Sequence, residues 1–276
     1  MGDRNVLCVP KGKLQIPGLL RCVAMMGRTH IVQAAATWLA GCAATTLTHH
    51  PPAPGLVLTG LAAISGAALL PDCDHRNGTL AQVARPVSQH LCGAVADLSS
   101  WVQATTGTRY DRPHDDGHRG LTHTLLAAAP AGGAATALAW LVPYGSAILV
   151  GVLVAFAAQA LIHPARPGRL RRTRKSVHAW LIGWAAGLIV AVTHAGGWWL
   201  GPIVAAGWLI HLAGDACSVQ GVPLFWPARI RGQRWRMVGL WRPLRIHTGA
   251  AMEHWHAGAA TLIGVVSVGW MLFGLR

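Results

Sequence analysis

Acidic side chains are scarce in this chain. Of 276 residues only nine are Asp or Glu, and Glu253 is the sole glutamate. Charged residues of both signs amount to 12%, against 53% hydrophobic. A soluble domain carries about twice that charged fraction, so the composition argues against an ordinary soluble enzyme. Aromatics other than tryptophan are also few, with two Tyr and three Phe beside thirteen Trp. Tryptophan favours the headgroup level of a bilayer. The six cysteines include no Cys-x-x-Cys pair, which argues against both a disulfide scaffold and a cysteine zinc site. Cys73 and Cys217, beside acidic residues, are retained as thiolate candidates. The amino-terminal stretch has Arg4, Lys11, Lys13 and Arg21 but no long apolar core, so it does not read as a cleaved signal peptide. Residues 1–25 are expected to form a disordered extension, and 26–276 a membrane-embedded domain.

What is abundant is small and apolar: 33 glycines and a mean hydropathy of +0.40. Such a mixture suits helices packed closely in lipid. Runs long enough to cross a bilayer occur at 31–48, 55–70, 121–142, 146–162, 177–192, 198–216 and 258–275. The predicted class is therefore all-α, a polytopic transmembrane helix bundle of seven spans. The connections support this arrangement. Of 23 basic residues, 22 fall in alternate connections, at 1–30, 71–120, 163–176 and 217–257. Basic residues gather on the cytoplasmic side, so the expectation is a multi-pass inner-membrane protein with a cytoplasmic amino terminus. The net charge of +14 then reflects orientation before any nucleic-acid partner. Between Leu80 and Val102 apolar residues recur every three or four positions, predicting an amphipathic interfacial helix bent at Pro86. Alternation over 233–247 predicts a short hairpin centred near Gly239.

Three clusters concentrate ligand chemistry at one set of span ends. Leu70-Pro-Asp72-Cys73-Asp74-His75 follows the second span, and Asp and His suit Zn, Mn or Fe. His118-Arg119-Gly-Leu-Thr122-His123 opens the third span, preceded by Asp115 and Asp116, with Thr122 a candidate helix cap. His211-Leu-Ala-Gly-Asp215 places two side chains on one face of the sixth span. Ionisable residues inside spans mark function. His30, opening the first span, and Glu253, ahead of the last, are weaker contributors. Each cluster also has a structural reading: a helix stop, an interfacial belt or a satisfied ion pair. Their common depth favours a shared site.

The order and spacing of Thr29-His30, Leu-Pro-Asp-Cys-Asp-His at 70–75, His-Arg-Gly-Leu-Thr-His at 118–123, His-Leu-Ala-Gly-Asp at 211–215 and Gly-Val-Pro-Leu-Phe-Trp-Pro at 221–227 resemble the YdjM-like membrane-bound metal-dependent hydrolases, described as LexA-binding and inner-membrane-associated. The chain departs from that pattern at Cys73 and in Ala-Cys-Ser after Asp215. The resemblance implies a metal-dependent hydrolase. One or two divalent ions (Zn, Mn or Fe) would sit on His30, Asp72, Asp74, His118, His123, His211 and Asp215. Asp74 or Glu253 would accept a proton, and Arg119 would hold an anionic group such as a phosphate. Membrane lipids and a phosphate-containing or lipid-like substrate are the expected partners. The basic residues are spread over four segments without a helix-turn-helix pattern, which disfavours nucleic acid, and nothing in the residues identifies a protein partner. The competing classes are a non-catalytic membrane anchor binding through its basic loops and a divalent-cation transporter, whose ligands belong near mid-membrane.

Overall fold

The structure is a computed structural model that describes residues 17–112, 117–162, 169–241, 245–246 and 251–273. Side chains are described from Gly27 in the first helix and from Ser176 in the sixth. Most of the expected extension, together with Asp115, Asp116 and residues 163–168 of the basic connection, lies outside the described residues.

Among the described residues the chain is all helical, with isolated bridges and no strand. Eight α-helices follow one another: α1 (Pro17–Leu47), α2 (Pro54–Ala67), α3 (Val87–Thr106), α4 (Leu125–Leu141), α5 (Gly145–Ile162), α6 (Arg169–Thr193), α7 (Leu200–Ala216) and α8 (Ala251–Phe273). Helix α1 takes in residues 17–25, which the sequence reading assigned to the extension. Among the described residues four segments can cross a membrane by length and composition: 54–74, 145–162, 176–193 and 251–273. Helices α4 and α7 are apolar but shorter.

The bundle is organised around α2 and α7. Helix α2 packs on α1, α5 and α7, while α7 also packs on α4. Alanine and glycine permit these approaches. Ala34, Ala63, Ala67 and Ala68 are buried with Ile64, Val150, Leu153 and Val204 in the main core. A Cβ on Gly207 would lie 2.8 Å from Ala67 Cβ and 3.0 Å from Ile64 O. The α5–α6 seam is tighter still: a Cβ on Gly187 would lie 2.7 Å from Ala147 O, and one on Gly183 would collide with the carbonyl oxygen of Gly151. Close backbone approach of this kind is what holds helices together when lipid is as apolar as they are.

Helix α2 stops because of Pro71, whose ring and missing N–H are incompatible with continuing the α-ladder. The chain tightens into a 3₁₀ turn at Leu70–Asp74. Pro86 has a similar effect: the predicted helix over 80–102 divides into a 3₁₀ turn at Leu80–Gln82 and α3, which starts after Pro86. Val87, Leu91, Leu98 and Trp101 make an exposed apolar stripe on α3, the face expected of an interfacial helix.

Among the described residues no pairing crosses Gly239 as the predicted hairpin requires. Its residues instead pair with the segment after α7, through Val222 N–Val238 O at 2.9 Å and Val238 N–Val222 O at 2.8 Å. The reversal occurs earlier, where Arg231 (φ 52°) and Gly232 (φ 83°) join Ile230 to Gln233. Two successive positive φ values make the turn type that matches strand twist. Asp111 secures this loop region. Its carboxylate accepts from Thr108 N (2.7 Å), Trp235 N (2.9 Å) and Arg234 N (3.3 Å). Burial pushes its pKa up, but these hydrogen bonds hold it below the usual carboxylate range.

Two outcomes are expected. Gly183→Val forces α5 from α6 and lowers stability by about 1–3 kcal/mol, read as thermal unfolding in detergent. Gly133→Val, whose added Cβ meets nothing within 4 Å, is the matched control. Because the folded pKa of Asp111 is depressed, its stabilisation is complete above the unfolded-chain value of about 3.9. It is lost as pH falls through the lower folded value. Limited proteolysis over 217–241 should therefore accelerate on acidification, and Asp111→Asn should give the fast rate already at neutral pH.

Candidate metal centre

The 3₁₀ turn after α2 separates its two carboxylates. Successive side chains in such a turn are rotated by about 120°, so Asp72 and Asp74 face different ways. Asp72 remains 29% exposed while Asp74 is fully buried. Helix α7 presents His211 and Asp215 one turn apart on a single face, with Nε2 and Oδ2 at 3.7 Å. Helix α1 adds His30, whose ring stacks on that of His211 with centroids 3.9 Å apart. The segment before α4 adds His118 and His123.

These groups converge on a shared centre. Asp215 Oδ2 lies 3.4 Å from His123 Nε2, and Asp215 Oδ1 lies 3.4 Å from His30 Nε2. Asp72 Oδ1 lies 3.6 Å from His211 Nε2 and 3.8 Å from His123 Nε2. The Nε2 atoms of His123 and His211 approach to 3.3 Å. Among the described residues two sets bring potential ligand atoms within 4.8 Å of one another: His30, His211 and Asp215, and Asp72, His118 and His123. Neither contains a cysteine, and Cys73 packs into an apolar cluster with Leu69 and Leu80.

The donor set fits a divalent cation. His211 Nδ1 donates to Ala68 O at 2.7 Å, leaving the Nε2 lone pair directed inward. His118 Nδ1 makes a 2.9 Å hydrogen bond to Asp74 Oδ1, and His123 Nδ1 is 3.3 Å from Asp74 Oδ2. Metal-binding imidazoles are oriented in this way, by a carbonyl or carboxylate on the far nitrogen. Charge balance agrees. Among the described residues Arg119 pairs with Asp215 alone of the three carboxylates, so neutral imidazoles leave a deficit of positive charge. At the edge of the cluster, burial and then the neighbouring His118 push the His75 pKa down.

Several predicted residues have other positions than their assigned roles require. Asp74, read as ligand and base, is occupied by His118, His123 and the Thr122 hydroxyl, which donates to it at 2.6 Å. Both of its oxygens are thus already engaged by neighbouring side chains. Thr122 is therefore not a helix cap; Thr124 precedes α4. Arg119, read as an anion holder, is buried and directs Nη2 to Asp215 Oδ1 at 3.0 Å and Nη1 to Ser218 Oγ at 2.7 Å. Its left-handed φ of 57° costs about 1–2 kcal/mol and turns it inward. Glu253 stands behind the cluster, accepting from Thr29 Oγ1 at 2.8 Å. It lines a cavity of about 20 Å³ with His30, Gln33 and Gly214, and His30 Nδ1 is buried there without a hydrogen-bond partner.

The sequence reading missed Ser218, Trp208 and Gly214. Trp208 Nε1 donates to Thr122 O at 2.8 Å, and Ser218 takes up Arg119. Gly214 makes room for His30: a Cβ there would lie 2.8 Å from both Nδ1 and Cε1 of that ring. The same Cβ would lie 2.7 Å from Gln33 Oε1, so Gly214→Ala should cost about 1–3 kcal/mol in thermal unfolding, and most of that cost should vanish in a His30→Ala/Gln33→Ala background.

A search of curated proteins and a search of solved structures each returned no match. A family model described as YdjM inner membrane protein matches residues 25–166, just over half of the 276-residue chain. That match takes in His30, Asp72, Asp74, His118 and His123 on the helices and turns just described, and with it the chain belongs to the YdjM inner membrane protein family.

Proposed function

We propose that the chain is a metal-dependent hydrolase with its Asp/His centre at the cytoplasmic face of the inner membrane. The observation that carries this reading is the convergence of inward-facing imidazole nitrogens on Asp72 and Asp215, with carboxylate charge in excess. The partition of ligands into two sets favours two ions bridged by a carboxylate. The alternate placement of 22 of 23 basic residues supports a multi-pass chain with a cytoplasmic amino terminus.

His30, His211 and Asp215 would hold one ion, and Asp72, His118 and His123 the other. Bound there, a divalent cation supplies Lewis acidity and lowers the pKa of bound water towards neutrality. The chain's own residues do the rest. Asp74 fixes the tautomer and plane of His118 and His123. Arg119 steadies Asp215 and offsets part of its charge. Asp72, the most exposed of the three carboxylates, is the one positioned to take a proton from water entering the centre. Glu253 acts behind His30 as a positioning residue. Ligands gathered where helices end, with an opening at Asp72 and His118, favour a hydrolytic site over a transport path through the bundle.

Metal analysis of detergent-purified protein tests this. Stoichiometric zinc, manganese or iron is expected in the wild type and loss of it in Asp72→Ala and Asp215→Ala; full retention in both variants would sink the proposed centre. Asp74→Asn should weaken metal binding by about 10–100-fold without abolishing it. Chelation should abolish hydrolysis of a phosphoester panel, and metal should restore it.

A further inference from the structure

A cleft of about 890 Å³ opens beside His118, within the range of ligand-binding sites and far larger than one phosphate group. Its walls include Arg112, Arg231, Arg236 and Arg245, and no carboxylate is among its described lining residues. Arg112 and Arg231 are exposed and Arg236 half-buried. Arg245 is held by neutral carbonyls, with Nε on Leu240 O at 2.8 Å and Nη1 on Val219 O at 3.2 Å. Its charge is thus fixed in place without being cancelled. The wall is rigid. Trp235 is buried, stacks on Trp226 with centroids 5.1 Å apart, and donates to Thr106 Oγ1 at 3.1 Å. Asp111 fixes the backbone of residues 234 and 235 from behind.

The positive-inside rule accounts for arginines on this side of a membrane protein. It does not account for four of them, besides Arg119, which also lines the cleft but is paired with Asp215, drawn from two separated segments and lining one cleft that ends on a histidine of the centre. Guanidinium groups bind phosphate oxygens in pairs, and four exceed what a single monoester requires.

Building on the hydrolase reading, we propose that this cleft binds a substrate bearing at least two phosphate groups, a diphosphate-type ester, with its phosphates on the arginines and its reacting end at His118. The class covers both soluble diphosphates and phosphorylated lipid headgroups.

The test uses purified full-length protein with its metal content measured in every sample. Inorganic pyrophosphate is titrated into wild type and the Arg231→Gln/Arg236→Gln double variant, with Arg231→Lys/Arg236→Lys as a charge-retaining control. The expected result is binding about tenfold or more weaker in the glutamine variant, largely kept in the lysine variant, with metal and thermal midpoint unchanged. Equal binding by the glutamine variant, at unchanged metal content, overturns the proposal. So does tighter binding of a single-stranded oligonucleotide than of pyrophosphate. Proteoliposomes distinguish the source. Protection of the 217–241 loop from proteolysis by vesicles carrying a polyprenyl diphosphate, but not by vesicles of phosphatidylcholine alone, identifies a lipid headgroup if the glutamine variant loses it. Protection by pyrophosphate alone identifies a soluble diphosphate. If Asp72→Ala loses metal yet arginine-dependent pyrophosphate binding persists, the cleft stands. If the wild type holds no metal while that binding persists, the hydrolase reading falls and the anion site survives.

Discussion

Three carboxylates gather around one buried imidazole, Asp74 at 3.3 Å, Asp215 at 3.4 Å and Asp72 at 3.8 Å from a nitrogen of His123, and that is the constraint the rest of the structure answers. Removing each carboxylate from water costs several kcal/mol, and Arg119 alone cannot offset all three. Imidazoles from α1, α7 and the segment before α4 are therefore drawn in, each with its outer nitrogen tied or packed. The bundle's small residues serve the same end. Gly214 admits the His30 ring, and Gly207 lets α7 approach α2 closely enough to set His211 against Ala68 O.

The centre and the arginine cleft meet at His118, which bonds Asp74 on one side and faces the opening on the other. The two regions have opposite charge. Inside, carboxylate exceeds guanidinium; outside, arginine stands without acid among the described lining residues. On the functional reading proposed above, an anionic ligand and a cationic cofactor would occupy adjacent places without competing for the same groups.

Much of this was legible in the chain itself. Helical class, the approximate extent of the apolar helices and the residues that converge all follow from apolar runs, Pro71 and the His and Asp clusters, because each is a local pattern. The roles within the cluster were not legible. Asp74 looks like a ligand equal to Asp72 until the 3₁₀ turn separates them, and Arg119 looks like a surface arginine until its backbone enters the left-handed region. The hairpin failed for a similar reason: alternation over 233–247 indicates an extended chain but not its partner, and the partner is the segment after α7. Gly214 gave no signal, since its purpose is a ring contributed from α1, far away in sequence.

The spacing of the clusters along the chain has a consequence for biogenesis. Asp72 and Asp74 are synthesised well before His211 and Asp215, with α4, α5 and α6 between them. During translation the early carboxylates therefore exist without the later half of their environment. The end of α2 must remain in contact with water, or with the chain's early histidines, until α7 emerges and seats beside it. Assembly of the centre is thus a late event, and a chain arrested before α7 would hold its acidic turn against His118 and His123 alone, without His211 and Asp215.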